Sequence, residues 1–456
     1  MSKYAKVFYT PWGLLSQHTS PNKVDIAIIG AGILGVSLAY WLSEISNTSV
    51  AIIEKEEQIA SHTSSRNTGV IHRPFYLNPE KKRIFAKSAQ KSYYLWSKLA
   101  SRYKLPWAQN GTIEVGLRDG DLETVRQYKK WSLENGMEDS ETEILDSPSA
   151  IQKLERLVEA SCAIHSKTDT SVDYGEFSRC LFEIAKKNGA RFIRGTVKGL
   201  VERSDGVEIL IKEEGSSPIS CNFAINAAGG RALDIAHSIG LGKEYTDLHF
   251  RGEYWVVDES FSSKITHNIY SVAKYKDFPF LDPHFIVRAS GRREIGPNAV
   301  LVSGPEAYKG LSTSSSEFLS KISERPITPK LRLFTSGRFL SLLRSEWYSS
   351  VSKKAMCERV RQFIPSLEVG MLKERGLAGV RTSLVDKDGF VPEARLLEST
   401  KNNSLHIVNY SSPGATGAPA FAAYVVNLLR QRGRLGALRE KQDSIWNYED
   451  AVTVFN

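Results

Sequence analysis

The sequence predicts an α/β protein: a Rossmann-like dinucleotide-binding domain with an interleaved substrate domain built on a mixed, mostly antiparallel β-sheet plus helices. Three observations predict it. Gly30, Gly32 and Gly35 stand between two buried-strand patterns. Small-residue, glycine-rich motifs return downstream at 226–230 and again at 379–420. Between those returns lie long strand-like runs of a different character.

The opening elements follow in order. Val24 to Ile29 is apolar and β-branched, a buried strand; Val36 to Leu42 reads as a helix; Val50 to Ile53 is a second strand, closed by Glu54. This is the dinucleotide fingerprint in full context: strand, G-x-G-x-x-G, helix, strand, acid. The glycines allow a tight turn and close approach to a pyrophosphate, whose charge sits on the helix N-terminus. Glu54 lies 19 residues past Gly35, spaced to accept hydrogen bonds from a ribose, with Lys55 beside it. The motif alone does not choose between NAD and FAD. The segment Ala60 to Gly69 is small and polar, and suits an extended cofactor through Thr63, Ser64, Ser65, Asn67 and Gly69, with Val70 next in line. Ala228 and Gly229 end the run Phe223–Gly230. Gly414, Ala415 and Thr416 open a helix whose N-terminus suits negative charge on a reduced flavin. Taken singly, each later stretch also reads as a tight turn between packed elements.

The middle of the chain is coarser. A basic helical stretch (79–104) precedes a strand (111–117). A helix is predicted at 175–187, with strands at 192–201, 207–212 and 223–226. Strand-like runs cover 250–257, 285–288 and 299–302, and helical segments fill 312–363. The expected division is an N-terminal extension (1–23), nucleotide-binding parts at 24–80, 161–235 and 371–435, substrate segments at 81–160 and 236–370, and a tail at 436–456.

Composition sets bounds. The 456 residues, 41% hydrophobic, suffice for a large core. Cys162, Cys180, Cys221 and Cys357 are scattered without C-x-x-C, which argues against structural zinc or a disulfide scaffold and fits a reducing compartment. No metal site is expected. No apolar run is long enough to cross a bilayer, and residues 1–23, with Tyr4, Phe8, Tyr9 and Trp12, lack the features of a secretory signal. The net charge of +9 is uneven. Between Arg325 and Cys357 seven basic residues face Glu346 alone, interleaved with large apolar residues. A solvated face over a core-facing stripe is the favoured reading; peripheral contact with an anionic membrane surface is the alternative. No recognised nucleic-acid-binding motif accompanies the charge. The expected location is cytoplasmic, or mitochondrial in a eukaryote.

At this point the chain resembles the FAD-dependent D-amino-acid-oxidase-like (DAO, GR2-type) superfamily. Within it, it is most similar to L-2-hydroxyglutarate dehydrogenases and oxidases. The matching stretches are Ile26–Gly35, Asn67–His72, Val172–Tyr174, Asn226–Gly229, Phe250–Tyr254, Phe278–Phe285, Gly296–Ala299, Ala378–Arg381, Leu384–Gly389 and Ser412–Thr416. The resemblance implies FAD, a large mixed substrate sheet, and oxidation of an L-2-hydroxy dicarboxylate to a 2-oxo acid. Two stretches depart from it. Arg73-Pro74-Phe75-Tyr76 follows His72 where a small residue, glycine and an aromatic pair are usual. Gly414 and Gly417-Ala418-Pro419 stand where alanine and serine are favoured.

Chemistry narrows the candidates. Oxidising an alcohol with a flavin moves a hydride to the ring, and the hydroxyl proton must also leave. Histidine, with a pKa near neutrality, suits that proton. His72 and His284 lie in the matching motifs, with His284 the better base and His72 its flavin-side partner. A dicarboxylate needs cations, and arginine binds carboxylates through two parallel hydrogen bonds. Arg251 and Arg381 come first, then Arg73 and Arg288; Tyr254 and Asn298 add hydrogen bonds. Arg73 suits a phosphate equally well. Quinone or oxygen is the expected electron acceptor. The alternatives are a sibling enzyme for glycerol 3-phosphate or an amino acid, and a flavin-bearing assembly protein without turnover.

Overall fold

The computed structural model describes residues 23–275, 278, 282–435 and 443–455. The aromatic residues of the N-terminal extension and Pro279-Phe280-Leu281 lie outside them. The fingerprint folds as its pattern dictates. Strand Lys23–Ile29, helix Ile33–Ile45 and strand Val50–Glu54 form a strand–helix–strand unit whose two strands pair in parallel. Five parallel strands run side by side: Ser404–Val408, Ile219–Asn226, Lys23–Ile29, Val50–Glu54 and Arg191–Arg194. Arg395–Glu398 adds an antiparallel edge. The central strands Lys23–Ile29 and Val50–Glu54 are largely apolar because both faces are covered. On one face the first helix packs with helices Tyr174–Lys187 and Gly414–Gln431 around Trp41, Trp96, Phe177, Phe421 and Trp446. On the other, Val207–Ile211 and Val197–Glu202 form an antiparallel flap over Ala27, Ile29 and Ile53.

Two further sheets build the other half. One has eight strands in the order Leu372–Arg375, Trp255–Val257, Arg293–Gly296, His284–Val287, Asn268–Ser271, Thr112–Gly116, Cys162–Ser166 and Thr142–Leu145. Its pairings are antiparallel except that between Asn268–Ser271 and Thr112–Gly116. Alternation along its strands sends Ile113, Val115, Ile269 and Phe285 to an apolar core under helix Lys353–Arg361. Thr112, Glu114, Tyr270 and His284 therefore project to the opposite face. The other sheet has four antiparallel strands: Val300–Val302, Thr246–Gly252, Gly379–Asp386 and Gly389–Phe390.

Several expectations are redrawn by packing. The run 250–257 is two strands in different sheets, parted at Glu253-Tyr254, and 192–201 breaks at Gly195-Thr196. The basic helix Arg83–Tyr103 was expected with the substrate segment. It buries Leu95, Trp96 and Leu99 in the nucleotide-side core, because its apolar stripe matches helix Gly414–Gln431. Conversely, strand Cys162–Ser166 joins the eight-stranded sheet. Helix Asp121–Glu134 was not foreseen. The four cysteines are free thiols. No helix among the described residues is long and apolar enough to cross a membrane.

The glycine turn is fixed sterically. Gly30 has φ +100°, and a Cβ there would lie 2.7 Å from the Ala227 carbonyl oxygen. Gly30→Ala is expected to cost about 1–3 kcal/mol through backbone strain and overpacking. Denaturant unfolding checks it, and an unshifted midpoint would refute the constraint.

Candidate active site

The loops at the carboxyl ends of the parallel strands converge on one cavity, where an open α/β sheet binds its ligand. Gly32, Ala227, Gly229 and Asn409 line it directly. The first helix begins there with Gly32 as its N-cap and no acid in its first turn. Its close approach depends on Gly35, whose hypothetical Cβ would fall 1.9 Å from the Gly30 oxygen. The Ile33 N–H donates to Ser64 Oγ (2.9 Å). Helix Gly414–Gln431 points a second acid-free N-terminus at the cavity, with Gly414, Ala415 and Thr416 among the lining. Two unneutralised helix ends and backbone free of side chains suit an anionic dinucleotide.

The other cofactor candidates divide. Thr63, Ser64, Asn67 and Val70 line the cavity. Asn67 shapes the loop: its Nδ2 donates to the Thr63 and Ser64 carbonyls, and its Oδ1 accepts from the Gly69 N–H (2.8 Å). Ser65 donates to the Ala60 carbonyl (2.6 Å), and Ala228 N–H donates to Asn226 Oδ1 (3.2 Å). Neither Ser65 nor Ala228 is among the lining residues. Glu54 braces the glycine turn: Oε2 accepts from the Ala31 N–H (2.7 Å) and Oε1 from the Glu56 N–H (3.0 Å). Each oxygen keeps a lone pair for a further donor. Lys55 turns to Glu306 and Glu56 instead of the cavity.

On the facing sheet, Tyr270 and His284 sit opposite each other on adjacent strands, aligned by the Ile269–Phe285 pair. Their rings stack with centroids 3.7 Å apart. His72 stands perpendicular to Tyr270, whose hydroxyl lies 3.4 Å from His72 Nε2. His72 Nδ1 donates to Asp169 Oδ2 (3.1 Å), so the neutral ring carries its lone pair on Nε2. The backbone N–H of His72 donates to Thr416 Oγ1 (3.1 Å). Asp169 is fully buried and also accepts from the Arg73 N–H (3.1 Å), Ser166 Oγ (2.6 Å) and Thr112 Oγ1 (2.9 Å). His284 differs. Its Nδ1 is buried without a partner, and its pKa is held well below the usual histidine value by burial, then by His72 and Arg381.

The cations also divide. Arg381 lines the cavity from strand Gly379–Asp386. Burial lowers its pKa, and the phenols of Tyr254 and Tyr76 act against that shift. Lys82 responds to it: its ammonium is pushed down by burial, then by Arg381. Tyr254 and Asn298 line the cavity too, although Asn298 Nδ2 donates to Glu253 Oε2 (3.1 Å). Arg251 and Arg73 have other occupations. Arg251 pairs with Glu253 (3.0 Å) and donates to the Ala307 and Gly310 carbonyls. The Arg73 guanidinium is fully buried, grips Glu141 (2.6 and 3.0 Å) and lies over the Tyr93 ring. Neither lines the cavity, because each is held by an acid elsewhere, Arg73 by Glu141 and Arg251 by Glu253. Arg288 is likewise held by Glu294 (2.6 Å). Among the described lining residues there are two arginines and two histidines but no Asp or Glu.

The pattern of the family of FAD-dependent oxidoreductases, DAO, matches residues 25–428. The chain belongs to this family. Its cofactor is FAD, and the acid-free helix ends and glycine turn fit that group. Among relatives, this DAO-family chain is 28% identical to L-2-hydroxyglutarate dehydrogenase of Indibacter alkaliphilus over 398 residues, 86% of this chain and 96% of the relative. It is 28% identical to the mitochondrial L-2-hydroxyglutarate dehydrogenase of Homo sapiens over 437 residues, 92% of this chain and 91% of that one. The fold resembles L-α-glycerophosphate oxidase of Mycoplasma pneumoniae with FAD bound (TM-score 0.72, 21% identity, 93% and 98% coverage). It also resembles glycine oxidase of Geobacillus kaustophilus (TM-score 0.66, 15% identity, 90% and 95% coverage).

Sequence reasoning missed Asp169, Tyr270 and Glu114 in this DAO-family site. Only the alternation of polar residues along Thr112–Gly116 and Asn268–Ser271 hinted at a wetter face. Glu114 is buried, and its carboxyl is pushed up to about 8 by burial, then by Asp169 and Asp121. The folded state thus keeps a proton that the unfolded chain releases near pH 4.5, so this group lowers stability as pH rises from about 4.5 to about 8. Glu114→Gln is expected to remove that slope, raising the unfolding midpoint at pH 8 while leaving it unchanged at pH 4.5. Thermal unfolding across that range checks it; parallel profiles for parent and variant would refute it.

Proposed function

We propose that this FAD-dependent oxidoreductase oxidises an L-2-hydroxy acid, foremost L-2-hydroxyglutarate, to the 2-oxo acid. The observation that carries the reading is the cavity itself: Arg381 beside two histidines, with no acid in the described lining. The names of the relatives at 28% identity point to the same substrate class. FAD supplies an acceptor for the hydride leaving C2.

Arg381 binds the 1-carboxylate through its planar fork, and the Tyr254 phenol adds a hydrogen bond. A carboxylate there offsets the burial that depresses Arg381. Lys82 is assigned to the distal carboxylate. It precedes by three residues Phe85, whose ring packs 5.7 Å from the cavity-lining Tyr410. The hydroxyl proton passes to His72 Nε2, and Asp169 steadies the resulting imidazolium through Nδ1–H. This reverses the order expected from sequence, where His284 was the better base. His284 is kept neutral and weakly basic by burial, which suits it to hydrogen-bond the substrate oxygen rather than hold a proton. Two electrons and one hydrogen leave C2 together, one proton leaves the oxygen, and a carbonyl remains. Quinone or oxygen re-oxidises the enzyme.

Anaerobic mixing tests the reading. L-2-Hydroxyglutarate is expected to bleach the flavin absorbance promptly, whereas L-lactate, glycerol 3-phosphate and D-amino acids leave it oxidised. Bleaching by glycerol 3-phosphate alone would overturn the substrate class. His72→Ala and Asp169→Asn are expected to retain flavin and slow reduction by about 10²-fold or more. A larger loss in His284→Ala than in His72→Ala would restore the other assignment. Arg381→Lys is expected to raise KM for every 2-hydroxy acid because the fork is lost. Lys82→Met is expected to raise it for L-2-hydroxyglutarate and spare L-lactate; equal effects would remove Lys82 from the distal site.

A further inference from the structure

Among the described residues fifteen large apolar side chains are exposed, and nine of them fall between Leu311 and Val351. Most of these nine lie on two helices, Ile327–Phe334 and Gly337–Val351. The inner side of these helices is well occupied. Phe339 is buried against Leu248, Phe250 and Val385, with Leu333, Phe334 and Leu343 around it. Glu346 is buried and paired with Arg359 (2.8 Å). Lys330 pairs with Glu324 (2.8 Å), and Lys321 bridges Glu324 (2.9 Å) to Asp247 (2.8 Å) on the sheet. The helices are therefore anchored, and their outward residues are held outward.

Those outward residues are not the usual polar set. Leu340, Arg344, Trp347 and Val351 recur at i, i+4, i+7 and i+11, one stripe along the second helix. Trp347 is 53% exposed and Val351 60%. Tyr348 flanks the stripe, and Leu331, 58% exposed, lies on the neighbouring helix. The exposed charges mixed with them are Arg325, Arg332, Arg338, Arg344 and Lys354. From 325 to 357 the single acid is Glu346, which is buried.

We infer that this face docks on an anionic lipid bilayer, with Leu340, Trp347 and Val351 entering the interfacial layer and the arginines meeting headgroup phosphates. Apolar side chains that include a tryptophan, set among cations on one helix face, match a helix lying in the membrane plane. Charge decides against a second copy of the chain. A twofold contact would set these cations against their own images with no exposed acid from this stretch to meet them. The inference is independent of which hydroxy acid is oxidised. It gives the favoured solvated-face reading of this segment a different meaning: the core-facing stripe exists, and the outer face is also apolar.

Flotation of the full flavin-loaded chain with vesicles tests it. Binding is expected to vesicles of phosphatidylcholine with phosphatidylglycerol, to be much weaker to phosphatidylcholine alone, and to fall as salt rises. Leu340→Ser with Trp347→Ser is expected to weaken binding about tenfold or more. Arg344→Gln and Lys354→Gln are each expected to weaken it about fivefold. All four changes lie on exposed positions and are expected to keep the flavin spectrum and the reduction rate by substrate. Equal binding to neutral and anionic vesicles, no binding to either, or unchanged binding by the variants would overturn the proposal. So would a dimer, seen by light scattering, that Leu340→Ser with Trp347→Ser dissociates.

Discussion

The buried carboxylate of Asp169 is the constraint on which the two halves of this molecule agree. A carboxylate removed from water is costly unless donors replace its hydration. Asp169 finds four, from Arg73 and Ser166 on one oxygen and Thr112 and His72 on the other. Those donors belong to different parts of the fold. Segment 70–73 leaves the cofactor-side loop, whereas Thr112 and Ser166 are ends of paired strands in the eight-stranded sheet. Satisfying one charge therefore fixes the cofactor side against the substrate side. It also fixes the tautomer and direction of His72, so the imidazole is oriented by the fold before any ligand arrives. Thr416 closes the arrangement from the third side through the His72 N–H.

Around that anchor the cavity lining buries titratable groups: burial lowers the pKa of Arg381 and of His284, with Tyr254 and Tyr76 acting against the shift at Arg381, and His72 and Arg381 adding to it at His284. The nearest structural acids are occupied. Glu141 holds Arg73, and Glu253 holds Arg251 and Asn298. Arg73 and Arg251 thus sit outside the cavity, and its lining holds Arg381 and Arg66, the latter donating to the Ser61 and Ala378 carbonyls and lying over the Tyr308 ring. An anionic substrate is the natural complement of that distribution.

The sequence was most legible where structure is local. Val24 to Glu54 folds as read because each signal, apolar strand, glycine turn, helix and acid, lies within about ten residues of the next. Gly30 and Gly35 could be named because no side chain fits there. Elements that depend on distant partners were harder. The run 250–257 has one apolar character, yet Gly252 ends a strand of the four-stranded sheet and Trp255 begins one in the eight-stranded sheet. Arg73 looked like a cation beside the flavin motif because Glu141 is 68 residues away. For Arg251 the competing acid, Glu253, was in plain view two residues on, and it won. Asp169 lies between two threonines with no motif around it. Its role exists only once strands 112–116 and 162–166 are paired.

The two histidines show why residue type and motif do not settle chemical role. Both are in recognisable runs and both line the cavity. What separates them is the atom behind each ring. His72 has a carboxylate behind Nδ1, so gaining a proton at Nε2 creates a charge that Asp169 already faces. His284 has a buried nitrogen with no partner and an aromatic ring stacked on its face. A proton there would place charge next to Arg381 and His72, both of which act against it. The burial that lowers the basicity of His284 also favours its uncharged form. In the proposed reaction a neutral ring there is favourable, since an imidazolium would oppose loss of negative charge from the substrate. The proposed division of labour between proton acceptance and hydride release thus rests on two imidazoles in two environments, separated by the single ring of Tyr270.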